Sequence, residues 1–111
     1  MSSDTHVPAP VATLVDAINA GDTDAFVEAF TENGSVDDWG RVLTGPDGVR
    51  SWAETDAIGM DAQMTVLSAT SEGDTTTVEF SWSSRKFNGT STAIVTVDGD
   101  RVSSFQIPPA H

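Results

Sequence analysis

The 111-residue sequence has no cysteine and no tyrosine, only two histidines, and 5 basic side chains against 17 acidic ones. Without cysteine there is no disulfide, no thiolate nucleophile and no thiolate metal site. Without tyrosine a common phenolic proton donor is missing. The scarcity of Lys and Arg leaves a formal net charge of -12. That charge argues against nucleic acid and anionic membranes as partners, since both are bound through clustered positive charge. No stretch approaches the ~18 apolar residues of a membrane span. The opening Met1-Ser2-Ser3-Asp4-Thr5-His6 has neither a basic nor an apolar signal region. A cytoplasmic protein without membrane association is the expectation. His6 and His111 stand near opposite ends, and there is no H-x-x-x-H pair, Asp-rich loop or Gly-rich phosphate loop. Neither a metal nor a cofactor is therefore expected.

What is present suits one domain with a core of its own. The expected organisation is a flexible arm over 1–9, a single domain over 10–107 and a tail over 108–111. Pro10 fits the first turn of a helix, where its missing N–H is harmless. Val11, Leu14, Val15 and Ile18 then recur at the spacing of one buried helical face. Ala20-Gly21 ends that helix, and Asp22 or Thr23 can cap a second one bearing Phe26, Val27, Ala29 and Phe30, stopped by Asn33-Gly34. Short extended pieces at 35–39 and 41–44 lead to Gly45-Pro46-Asp47-Gly48 and a third helix with Val49, Trp52 and Ala53.

From Met64 the pattern changes to alternation. Val78, Phe80 and Trp82 alternate with Thr77, Glu79 and Ser81, and Ala93, Val95 and Val97 alternate with Thr92, Ile94 and Thr96. Asn88-Gly89 reads as a hairpin signal. Helices first and strands afterwards imply an α+β fold, three N-terminal helices packed on one face of a curved, mostly antiparallel sheet. The other face, rich in Thr and Ser, is either solvated or a polar dimer surface.

Several segments resemble the nuclear transport factor 2-like superfamily, in its SnoaL-like and ketosteroid isomerase-like branch. They are the Ala20-Gly21-Asp22 junction, the Phe26-to-Phe30 face, Gly34-Ser35-Val36-Asp37-Asp38-Trp39-Gly40, Gly45 to Trp52 and the terminal hairpins. The resemblance spans about Pro10 to Ile107 and implies a cone around an apolar pocket. It implies that Leu14, Ile18, Phe30, Trp39, Trp52, Met60, Phe80, Trp82, Ala93, Phe105 and Ile107 line that pocket, and helical spacing after Trp52 puts Asp56 near its mouth. A small apolar or amphipathic molecule would be the partner, and a homodimer through the sheet the assembly.

By the same resemblance Asp38 matches the acid that moves a proton in ketosteroid isomerases. Held among Trp39, Phe30 and Trp52, its carboxylate would be poorly solvated and a better base. The enolate-stabilising donors of such isomerases, a Tyr and a protonated Asp, align with Leu14 and Ala93 and are absent. Cyclases of the SnoaL type would place an acid on an inward-facing strand position, and none is visible. Dehydratases of this fold would need Tyr and His. Epoxide hydrolases would need an Asp-Arg-Asp set, for which Arg85 has no suitable partners. Arg41 and Arg50 are possible neighbours of Asp38 and Asp56. Two functions follow as expectations. One is a small-molecule-binding protein, which as an enzyme would be of isomerase or cyclase type with Asp38 as general base. The other is a non-catalytic dimerisation or structural module whose cone is filled by its own side chains.

Overall fold

In the computed structural model, which describes residues 7–85 and 88–108, helix α1 spans Ala9–Ala20. Pro10 lies in its first turn, and its buried face is Val11, Leu14, Val15, Ala17 and Ile18. Gly21 ends it in the left-handed conformation at φ 70°, where a side chain would be strained. The Gly21 N–H donates to the Ile18 carbonyl and the Asp22 N–H to the Ala17 carbonyl, the two bonds of a Schellman motif. The Asp22 carboxylate then accepts the Ala25 N–H at 3.1 Å and starts α2 (Thr23–Glu28).

Here the chain departs from the expected helix through Phe30. Strand β1 (Phe30–Asp38) already begins at Phe30, and the Val102 N–H donates to the Ala29 carbonyl at 2.8 Å. Phe26 and Phe30 still touch, with ring centroids 5.2 Å apart, so their four-residue spacing is satisfied across the helix–strand junction. Asn33-Gly34 therefore lies inside β1, in the irregular stretch between Phe30 and Ser35, rather than at a helix end. A Cβ on Gly34 would come within 2.9 Å of the Phe30 ring.

A two-residue turn, Trp39-Gly40, joins β1 to β2 (Arg41–Thr44), and α3 (Gly45–Asp56) follows. After a single 3-10 turn at Ile58–Met60 come β3 (Gln63–Glu72), β4 (Thr75–Ser83), β5 (Asn88–Asp98) and β6 (Arg101–Ile107). The sheet order is β2-β1-β6-β5-β4-β3, with β1 and β6 parallel and the remaining pairs antiparallel. Asn88 pairs with Ser83, so Asn88-Gly89 belongs to β5 and is not the hairpin tip. Interrupted registers in β3, at Leu67, and between Thr96 and Val97 are of the kind that bends a sheet.

The three helices cover the concave face of this sheet. Phe26, Trp52, Phe80, Phe105, Leu14 and Ile18 are the largest fully buried side chains. The Asn19 amide donates to the Met64 carbonyl and accepts the Met64 N–H, which ties the end of α1 to edge strand β3. The expected arm and tail fall mostly outside the described residues, as do His6 and His111, and α1 already includes Ala9.

Candidate functional site

Helix α3 is amphipathic, and Val49, Trp52, Ala53 and Asp56 share its buried face at the i, i+3, i+4, i+7 spacing. Trp52 and Asp56 therefore project from the same side, one turn apart. Opposite them, the β1–β2 hairpin pairs Asp38 with Arg41 across its turn. These two elements and the inner ends of β4, β5 and β6 enclose a cavity of about 510 Å³. Its apolar wall is Trp39, Trp52, Phe80, Trp82 and Ile107. Its polar groups are Asp38, Arg41, Asp56, Thr90 and Ser91.

The charged groups form one connected cluster. The Arg41 guanidinium pairs closely with the Asp56 carboxylate. The same Arg41 nitrogen lies 4.0 Å from Asp38 Oδ2, and the Trp52 indole N–H donates to that oxygen at 3.1 Å. Asp56 is only 8% exposed and Asp38 28%. A carboxylate as enclosed as Asp56 is tolerable because a guanidinium meets it. Both contacts to Asp38 use Oδ2, leaving Oδ1 as an acceptor for another group. The environment of Asp38 thus differs from the purely aromatic one expected: an N–H donor and a cation face it, and Phe30 lies in the core. Arg50 is not part of the cluster. It donates to Asp24 at 2.8 Å on the surface, and that hydrogen bond raises its pKa further above the physiological range.

Of the thirteen residues singled out from the sequence, Asp38, Trp39, Trp52, Asp56, Phe80, Trp82 and Ile107 line the cavity. Leu14, Ile18, Phe30, Ala93 and Phe105 do not, because they are packed into the core between helices and sheet. Met60 sits in the 3-10 turn, away from the cavity. Arg85 pairs with Asp61 at 3.1 Å, so the arginine between two carboxylates is Arg41 instead. Thr90 and Ser91 were missed. Ser91 lies opposite Phe80 in the β4–β5 ladder and shares the parity of Ala93, which was the available signal. No cluster of three or more His, Asp or Glu able to hold a metal occurs among the described residues. Nor is any helix among them long and apolar enough to cross a membrane.

The family model of the SnoaL-like domain matches residues 11–105. The chain belongs to the SnoaL-like family. Its fold is the nuclear transport factor 2-like, ketosteroid isomerase-like cone, with three helices on a curved, unclosed six-strand sheet. A candidate polyketide cyclase from Sinorhizobium meliloti is similar to this SnoaL-like chain at TM-score 0.80 and 26% identity, over 91% of this chain and 94% of that one. A Catenulispora acidiphila protein with a ketosteroid isomerase-like fold, in complex with trimethylamine, is similar at TM-score 0.80 and 22% identity, over 95% and 88%. A Mycobacterium tuberculosis protein in complex with estradiol-17β-hemisuccinate is similar at TM-score 0.79 and 11% identity, over 95% of each chain. No curated protein matches the sequence significantly.

Proposed function

We propose that this SnoaL-like protein binds a small apolar or amphipathic molecule in the α3-facing cavity, with Asp38 at the polar end as the general base of an isomerase- or cyclase-type reaction. The observation that carries this reading is an open cavity of about 510 Å³ whose aromatic wall ends in the Asp38–Arg41–Asp56 cluster. Ligand sites are usually apolar clefts with a few converging polar groups. An open cavity also weighs against a cone filled by its own side chains.

In the reaction, Asp38 takes a proton from a carbon next to a carbonyl and returns it elsewhere on the same ligand. Trp52 and Arg41 orient its carboxylate. The Trp52 N–H is committed to Asp38 and does not double as an oxyanion donor. Leu14 and Ala93, where such donors would stand in an isomerase, are fully buried in the core. A ligand whose developing negative charge is dispersed or internally compensated fits this site best. The grouping of Arg41 between two carboxylates favours a second reading, water addition to an epoxide, in which Asp38 takes the proton from the attacking water as the ring C–O bond breaks, and solvent water protonates the released alkoxide oxygen. The molecules named for two structural neighbours, trimethylamine and estradiol hemisuccinate, differ in size and charge sign. They support a small-molecule pocket without choosing its occupant.

The test is to expose the protein to a metabolite mixture and identify retained molecules by mass spectrometry, with styrene oxide assayed in parallel. Asp38→Asn should lower turnover of whichever substrate emerges by at least about a hundredfold. Equal turnover or binding by the variant removes Asp38 from the role. The outer sheet face supports a homodimer, since Thr77, Glu79, Thr92, Thr96, Ser104 and Gln106 form a polar surface there around the apolar Ile94. A cytoplasmic setting is proposed on composition alone.

A further inference from the structure

We infer that the cavity is built for an organic cation, an ammonium group carrying apolar substituents, in preference to a neutral or anionic ligand. The inference rests on the small-molecule reading above and adds the charge of the ligand.

Among the described residues lining the cavity, the ionisable ones are Asp38, Arg41 and Asp56. Arg41 is taken up by Asp56, so the carboxylate available to a ligand is Asp38. Asp38 meets the guanidinium only at 4.0 Å and keeps Oδ1 for a ligand. An anion entering here faces the Asp38 carboxylate and a guanidinium already paired with Asp56. A neutral molecule leaves the charge of Asp38 without a counter-ion of its own.

The wall points the same way. All three tryptophans of the chain, together with Phe80, line the cavity. Aromatic faces carry negative electrostatic potential and attract cations, Trp most strongly. A tertiary or quaternary ammonium is weakly hydrated, so it gives up little on entering an aromatic site. It has at most one N–H, which Asp38 Oδ1 can accept. An independent observation concerns Trp39, which stands at φ 56° in the β1–β2 turn and is 58% exposed at the cavity. Asn, Asp and Gly are the residues suited to that turn position. Turn chemistry gives no reason for an indole there, whereas an aromatic edge to a cation site does. The field of a chain carrying -12 draws cations toward the cavity from a distance.

Three probes of similar shape test the inference: phenyltrimethylammonium, its neutral isostere tert-butylbenzene, and benzenesulfonate. Because every tryptophan lines the cavity, intrinsic fluorescence reports occupancy directly. The expected result is saturable binding with the cation at least about tenfold tighter than the neutral isostere, and the sulfonate weaker than both. Asp38→Asn should reduce that preference by at least about threefold. Equal binding of cation and neutral probe overturns the cation inference and leaves the pocket standing. Full retention of the preference in Asp38→Asn also overturns it, by tracing the effect to overall charge. Binding of none of the three overturns both the inference and the small-molecule reading.

Discussion

Trp39 is where local conformation and proposed function disagree most openly. A side-chain-bearing residue in the left-handed region is about 1–2 kcal/mol less favourable than in the right-handed one, and a bulky aromatic has no local hydrogen bond to offset that. Trp39→Asn should therefore stabilise the hairpin by about 1 kcal/mol and raise Tm by about 4 °C, as measured by thermal circular dichroism. The same substitution should weaken binding of a cavity ligand. An unchanged or lower Tm would mean that the indole stabilises its turn by packing. Much of the site was legible at this scale. Helical spacing put Trp52, and alternation Phe80 and Trp82, on apolar faces, and the family resemblance made those faces a pocket. Asp38 and Ile107 were placed through the family resemblance. The Arg41–Asp56 ion pair was less legible, because it joins a two-residue hairpin to a helix end, a meeting set by tertiary packing and not by any period in the chain.

At the level of elements, the site depends on how α3 leaves the cavity. Asp56 is its last residue, and the chain turns back immediately through Ile58–Met60. A Cβ on Gly59 would lie 1.6 Å from the Glu54 carbonyl oxygen, so the reversal exists only with glycine there. Gly59→Ala should cost at least about 2 kcal/mol, read as a lower urea midpoint, and should loosen Asp56 from Arg41. A midpoint unchanged from the parent would show that the turn relaxes freely. Sequence patterning predicted α1 and α3 well because each buries a stripe at one helical spacing. It misjudged the α2–β1 boundary because Phe26 and Phe30 can satisfy the same contact from a helix or from a helix entering a strand. The backbone pairing with β6 decides between them, and that pairing involves residues some seventy positions away.

Across the whole molecule, the two faces of the sheet divide the labour: the concave one holds the core and the cavity, and the convex one remains polar and accessible. Ile94 is half-buried near the middle of that convex face, between Thr77 and Gln106. Light scattering should give the mass of a dimer, and Ile94→Arg should shift it to a monomer without altering ligand binding in the cavity. A parent that is monomeric at all concentrations would reject the sheet-to-sheet assembly. The antiparallel meander was legible from its turns, whereas insertion of the final strand between the first and the fifth was not, since no local signal encodes a parallel partner. That insertion has a consequence for biosynthesis. Strand β6 is the seam between the β2–β1 hairpin and the β5–β4–β3 meander, so a growing polypeptide must hold both apolar surfaces unjoined until residues 101–107 have left the ribosome. Exposed apolar surfaces of that kind are prone to aggregation, and a net charge of -12 opposes such association through self-repulsion.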